Sequence, residues 1–313
     1  MKYNLNKLLK SKLTILLYHG VTSKINNGII NFQGKHINHN EFNLQMEFVK
    51  KYCTPISIDE WIDIKTNNKA IPEYPTIISF DDGFKNNITE AAPILNSLNI
   101  PCVFYISTGL IDTKKMFWVD KIEQCIHYTK SKSITIFLNK RKDYEISSKS
   151  QKVSALLEIK KWCKAVKTSE KDRVINELKL ETQVKPNKDL HDNYKTLSWV
   201  DLKEMNNNSL FTIGGHSVNH NILSLINSKD LEFQIASCIK KLSSELETKI
   251  EHFSYPEGQI HHFNSEVIEV LKKNGIKCCP TAIHGYNDFS EDFFNLKRVM
   301  VGFENIDFPH ISK

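Results

Sequence analysis

No apolar run in this sequence approaches the length of a membrane-crossing helix, and it has no C-x-x-C pair, internal repeat or low-complexity tract. The 7 cysteines are odd in number, with only Cys278 and Cys279 adjacent, so neither a disulfide framework nor a structural zinc cluster is indicated. A reducing compartment is expected. The first twelve residues are basic, yet the apolar stretch 13–18 is too short for a signal peptide's core and no small-residue cleavage site follows it. That points to a cytoplasmic protein. The net charge of +6 is modest and the lysines are dispersed rather than gathered beside aromatic residues, which leaves no nucleic-acid footprint. Mild basicity suits attraction to phosphorylated or lipid-linked acidic substrates, and equally a solvated surface.

What is present is a β/α rhythm on a chain of 313 residues, 40% hydrophobic and 25% charged, ample for a packed core. Strand-like apolar runs occur at 13–18, 76–80, 102–106, 210–213, 252–255, 276–281 and 296–301, with helical patterns between them. Residues 41–52 read as an amphipathic helix with Phe42, Met46 and Val49 on one side; 87–98 and 229–246 read as further helices. Residues 112–195 break the rhythm. They are rich in Lys, Ser and Glu, with helical patterns at 119–128, 152–166 and 170–180 and a strand at 134–138, and are expected to form a mostly helical insertion within one domain spanning 1–313. Trp118 opens that insertion, where its ring either forms one lip of a ligand groove or packs the insertion onto the body of the fold. Trp199 reads as packing at a helix start.

Chemistry is concentrated at two places. Asp81 and Asp82, followed by Gly83, end the apolar run that begins at Thr76, so both carboxylates emerge at the C-terminal end of a buried strand, where α/β folds place reactive groups. Consecutive side chains in such a turn diverge. One carboxylate can bind a cation while the other stays free as a base. His216-Ser-Val-Asn-His220 follows a second short strand and Gly214-Gly215. On a helical turn its two imidazoles share a face and reach one ion, and with one carboxylate they make a three-ligand site open to water and substrate. The alternative is a pair of ordinary surface or capping histidines.

These segments resemble the polysaccharide deacetylase family, also known as the NodB-homology or carbohydrate esterase family 4 domain. Ile78-Ser-Phe-Asp-Asp-Gly83 looks like its first motif, which implies that Asp81 is the general base and Asp82 a metal ligand. Gly215-His-Ser-Val-Asn-His220 looks like the second motif, whose histidines bind the metal, here His216 and His220. Phe253-Ser-Tyr-Pro-Glu-Gly258 is similar to the third, which lines the substrate groove and supplies an oxyanion N–H, implicating Tyr255 and Glu257. The resemblance runs from about residue 13 to 303, apart from the insertion. It implies a distorted (β/α) barrel of about seven strands.

Two departures matter. Ser254 stands where many members carry an arginine that holds the base; Arg298, in a strand-like segment, is the candidate to orient Asp81, or else pairs with a surface carboxylate. No late Leu-x-His motif supplies a histidine acid, and His310, in a short tail after Pro309, is unsuited. A circularly permuted branch of the family carries that histidine after the first strand, which Leu13-Thr-Ile-Leu-Leu-Tyr-His-Gly-Val21 resembles, so His19 is implied as general acid. The expected activity is metal-dependent removal of an N-acetyl group from an amino sugar, carried on a lipid or nucleotide as a precursor of a surface polysaccharide. The expected metal is zinc, with cobalt, nickel or iron also suited to the donors. N-deformylation of a similar sugar, or silent sugar binding, are the alternatives.

Overall fold

The computed structural model describes residues 10–24, 27–303 and 308. Residues 1–9 and His310 lie outside these. Strands β1 (Thr14–Tyr18), β2 (Gly20–Thr22) and β3 (His36–Asn38) precede helix α1 (His39–Tyr52); β4 (Thr54–Pro55), α2 (Ile58–Thr66), β5 (Pro75–Phe80), α3 (Ala92–Ser97) and β6 (Cys102–Ile106) follow. Next come α4 (Trp118–Tyr128), the antiparallel hairpin β7 (Ser133–Phe137) and β8 (Arg141–Glu145), α5 (Lys149–Cys163) and α6 (Thr168–Thr182). The chain continues through α7 (Trp199–Asn206), β9 (Phe211–Gly215), α8 (Ser228–Leu246), α9 (Ser265–Lys273) and β10 (Val299–Met300). No helix among the described residues is long and apolar enough to cross a membrane.

The central sheet is parallel, ordered β10-β1-β5-β6-β9, with β4 paired to the start of β5. Single parallel bridges carry the pairing onward from Gly215 to Phe253, from His252 to Cys278 and from His284 to Arg298, just before β10. The seven strand-like runs therefore succeed one another around a distorted (β/α) barrel. Regular ladders fail in the later part because Pro256 and Pro280 lack the N–H a ladder needs. Residues 252–255 and 276–281, expected as strands, are held by these bridges instead.

Alternation along the strands sorts the side chains. Leu16, Tyr18, Ile78, Phe80 and Phe104 pack outward on Phe42 and Met46 of α1 and on Ile235 and Leu242 of α8 in the main apolar cluster. Ile15, Ile77, Val103 and Tyr105 point the other way, into a separate cluster with Trp61 and Leu296. Because the period is two, that inner face continues through Leu17 and Ser79 to His19 and Asp81. The β1–β5 register pairs Leu17 with Ser79, so His19 and Asp81 leave the barrel at matching positions.

Helix starts follow their caps: Ser57, Ser148 and Ser198 each form a reciprocal capping box at α2, α5 and α7. The expected helix 87–98 is split, because Asn87–Ala91 forms a π-helical turn and α3 begins at Ala92 with proline in its first turn. Helices α4, α5 and α6 and the β7–β8 hairpin enclose an apolar cluster of their own, including Ile122, Ile136, Leu156, Ile159 and Leu178.

The close approach of β9 to its neighbours requires glycine. A Cβ on Gly214 would lie 2.7 Å from Tyr105 Cδ1 and 2.9 Å from the His252 carbonyl oxygen, a backbone atom that cannot swing aside. Gly214→Ala should cost about 1–3 kcal/mol by overpacking, read as a lowered denaturant midpoint. An unchanged midpoint would mean that the barrel closes more loosely than this.

Candidate metal centre and active site

Asp81 and Asp82 are both buried, at 4% and 3% exposure, and their divergence has a local cause. Asp82 has φ of +80° and Gly83 of +86°, and the Gly83 N–H donates to the Asp81 carbonyl at 3.1 Å. This γ-turn holds Asp82 in a backbone region that non-glycine residues avoid, a strain of order 1–3 kcal/mol that recurs at functional sites. His19 is fixed from the side by Asn87 in the π-helical turn, whose amide donates to the His19 carbonyl at 2.9 Å.

His216 and His220 are not on a helical turn, as their spacing suggested. They lie in a loop where Ser217 and His220 take positive φ, of 63° and 55°. The loop is clamped by N–H groups of Thr108 and Gly109 donating to Ser217 and Val218 carbonyls at 3.2 and 2.8 Å. The result still brings the imidazoles together, with ring centroids 4.9 Å apart. His216 Nε2 is 3.6 Å and His220 Nε2 3.3 Å from Asp82 Oδ1. One donor atom from each of the three residues fits within 4.8 Å of the others.

This cluster fits a divalent cation. Asp82 Oδ1 is buried and accepts no hydrogen bond among the described residues; a carboxylate oxygen left bare in the interior before two imidazole nitrogens is otherwise costly. His216 Nδ1–H donates to the Ser254 carbonyl at 2.8 Å, which leaves Nε2 with its lone pair toward Asp82. Burial drives His216 down to about 4, so it is neutral. His220 moves the other way: burial lowers it, but the Asp82 carboxylate outweighs that and raises it above 6.5.

Asp81 is held differently. Arg298, fully buried, grips it with Nη1 to Oδ1 at 2.8 Å and Nη2 to Oδ2 at 2.7 Å, while its Nε donates to the Thr281 carbonyl at 2.6 Å. Burial alone would raise the Asp81 carboxyl; the charges of Arg298 and then His216 overcome it and hold it below 3.8. Ser254, in the place expected of an arginine, joins the two halves of the site. Its hydroxyl donates to Asp81 Oδ1 at 3.1 Å and meets His216 Nδ1 at 2.7 Å. Nothing in the sequence signalled that link.

His19, Asp81, Asp82, His216, His220, Glu257 and Arg298 all border one cleft of ≈ 360 Å³. Burial depresses His19 below 6.5, against the pull of Asp82 and Asp81. Glu257 is paired with Lys164 at 2.7 Å; burial opposes its ionisation, but Lys164 and then His220 bring it to about 2. Two expected groove residues turn away. The Tyr255 ring is buried, stacked on Phe263 at 4.2 Å, with its hydroxyl donating to the Phe294 carbonyl. Trp118 is 5% exposed and packs with Ile122 and Leu156 at the start of α4, while Val119, Asp120 and Glu123 of that helix reach the cleft. Both rings are more stably buried among apolar neighbours than exposed.

A sequence-family model described as polysaccharide deacetylase matches residues 69–279. No curated protein matches the chain in sequence. Among solved structures it is similar to Streptococcus pyogenes deacetylase PplD in complex with acetate, at 14% identity over 97% of this chain and 100% of that one, with a TM-score of 0.62. It is also similar to a de-N-acetylase from Aggregatibacter actinomycetemcomitans, at 16% identity over 95% and 97%, TM-score 0.60, and to IcaB from Ammonifex degensii, at 16% over 93% and 92%, TM-score 0.59. At these identities the likeness is one of fold.

Zinc titrated into metal-free protein at pH 6.5 should release protons from His220 and none from the already neutral His216. Affinity should fall as pH drops through the raised pKa of His220. Calorimetry in buffers of different ionisation enthalpy measures the release, and His216→Ala should abolish tight binding. Binding that is indifferent to both would place the metal elsewhere.

Proposed function

This chain belongs to the polysaccharide deacetylase family, and from that premise we propose that it is a metal-dependent hydrolase removing the N-acetyl group of an amino sugar. One observation carries the reading: a bare buried carboxylate oxygen on Asp82 facing His216 and His220, one residue from a carboxylate clamped by Arg298. Asp82, His216 and His220 would hold the ion, with zinc the first choice and cobalt, nickel or iron compatible with the donors. When bound, it supplies Lewis-acid polarisation of the acyl carbonyl and a more acidic water.

The chain's own groups complete the reaction. Asp81 accepts the proton of the attacking water, and Arg298 keeps it ionised and fixed in orientation. A backbone N–H near Glu257 stabilises the developing oxyanion. His19 donates a proton to the departing nitrogen, which cannot leave as an anion; burial lowers its pKa and so makes the protonated ring a readier donor than a free imidazolium, while Asp82 and Asp81 oppose that and favour the charged ring. The doubt raised by Ser254 in the third motif, the basis for a silent binding protein, loses its force once Arg298 sits on Asp81.

The seven cysteines are all unpaired, which supports a reducing compartment. A cytoplasmic enzyme meets precursors rather than finished polymer, so the proposed substrate is a lipid- or nucleotide-linked amino sugar.

Acetate or formate release from a panel of N-acyl amino sugars, by zinc-loaded protein, tests the activity and separates deacetylation from deformylation. Asp81→Asn should keep zinc and lose turnover by roughly 10²–10⁴-fold; wild-type rates would remove Asp81 as the base. His19→Ala should slow amide cleavage far more than cleavage of an activated ester whose leaving group needs no proton. Equal losses on both would remove His19 as the acid.

A further inference from the structure

The cleft has a second wall that this chemistry does not use. Asp120 and Glu123 from α4, Lys160 from α5, and Gln33 and Lys35 from the segment before β3 form it. Lys35 Nζ donates to Asp120 Oδ1 and sits 4.6 Å over the Phe84 ring. Lys160 Nζ donates to Gln33 Oε1 at 3.3 Å and lies 4.0 Å from Glu123 Oε2, while Glu123 Oε1 accepts from the Tyr194 hydroxyl at 2.8 Å. The charges are withdrawn from solvent: Asp120 is 2% exposed, Glu123 7% and Lys160 9%.

Burying paired charges stabilises a fold little or not at all, so such a wall beside a cleft suggests recognition. One atom in it is left over. Asp120 Oδ2 is buried and accepts no hydrogen bond among the described residues. Burial pushes the Asp120 carboxyl up, against the pull of Lys35, so its ionised form gains from any further donor. Lys35 is near enough to the reacting groups for its charge to act on both His19 and Asp82. In the proposed reaction the nitrogen facing His19 stays on the sugar after the acyl group leaves, so the ring occupies the same cleft that this wall lines. Lys35 and Lys160 balance Asp120 and Glu123, which leaves donors and acceptors without net charge. That suits hydroxyls better than a phosphate or carboxylate.

Resting on the deacetylase reading, we infer that Asp120, held by Lys35, is a specificity-determining residue that accepts a hydrogen bond from a ring hydroxyl of a neutral hexosamine. Asp120→Asn keeps an oxygen for Lys35 and replaces the open acceptor by a donor.

The test measures kcat/KM for acetate release from methyl N-acetylglucosaminide, its 3-, 4- and 6-deoxy analogues and its 6-carboxylate, with wild type and Asp120→Asn. Wild type should lose roughly 10- to 100-fold on one deoxy analogue and should not prefer the carboxylate. Asp120→Asn should lose about as much on the parent sugar and nothing more on that analogue, with zinc binding unchanged. Wild type indifferent to every deoxy change, or favouring the acidic sugar, overturns the inference without needing the variant to fold. Losses that multiply between variant and analogue overturn it too. Acetate release with a flat deoxy profile leaves the hydrolase standing, whereas no release from any substrate removes the deacetylase reading and this inference with it.

Discussion

Two adjacent carboxylates buried at the end of one strand are the constraint from which the rest follows. Asp81 and Asp82 are each almost wholly withdrawn from water, and neither charge is tolerable there unless something opposite meets it. The structure answers them separately. Asp81 is met by the fixed fork of Arg298, which takes up both oxygens and leaves a carboxylate that stays ionised. Asp82 is turned away by a strained γ-turn and met by two imidazoles, one of which cannot hold a proton at neutral pH. That unequal treatment gives the two carboxylates different surroundings, one clamped by an arginine and the other facing two imidazoles.

The barrel supplies the geometry for this. Parallel register and a period of two bring His19 and Asp81 out of neighbouring strands on the same inner face, above Leu17 and Ser79. The later part of the ring, where single bridges replace ladders, delivers Ser254 and Arg298 to the opposite side. A segment free of long ladders can place an arginine's Nε on a loop carbonyl and its Nη atoms on a carboxylate at once. Regular pairing would have used that carbonyl.

Much of this was legible in the sequence because it depends on local order. The β-branched and aromatic runs marked the segments that form β1, β5, β6, β9 and β10 and the two that are held by single bridges, and the acidic pair and the His-x-x-x-His spacing marked residues that cluster in the cleft. The long helices α1, α5, α6 and α8 appear within a few residues of their apolar periodicity. What could not be read depends on contacts between distant segments. The helical turn assigned to His216–His220 is a loop because Thr108 and Gly109 clamp it from another strand end. The short parallel pair β2–β3 has no apolar alternation to reveal it, and β8 is polar at most positions. Tyr255 and Trp118 were aromatic residues near motifs, and only packing shows that their rings face apolar neighbours rather than the cleft. Lys35 and Asp120 are 85 residues apart; no pattern along the chain joins them.

The cleft thus has a reactive floor from the barrel and a polar wall contributed largely by α4 and α5. The floor carries the motif residues, and the wall comes mostly from the part of the chain that interrupts the β/α rhythm, together with Gln33 and Lys35. The whole account stands on the floor. X-ray absorption at the zinc edge, on protein loaded with one equivalent of zinc, tests it most directly: the prediction is a light-atom shell of two imidazole nitrogens and a carboxylate oxygen at about 2.0–2.2 Å, lost in Asp82→Ala. A shell containing sulfur, or one unchanged by that substitution, would contradict it.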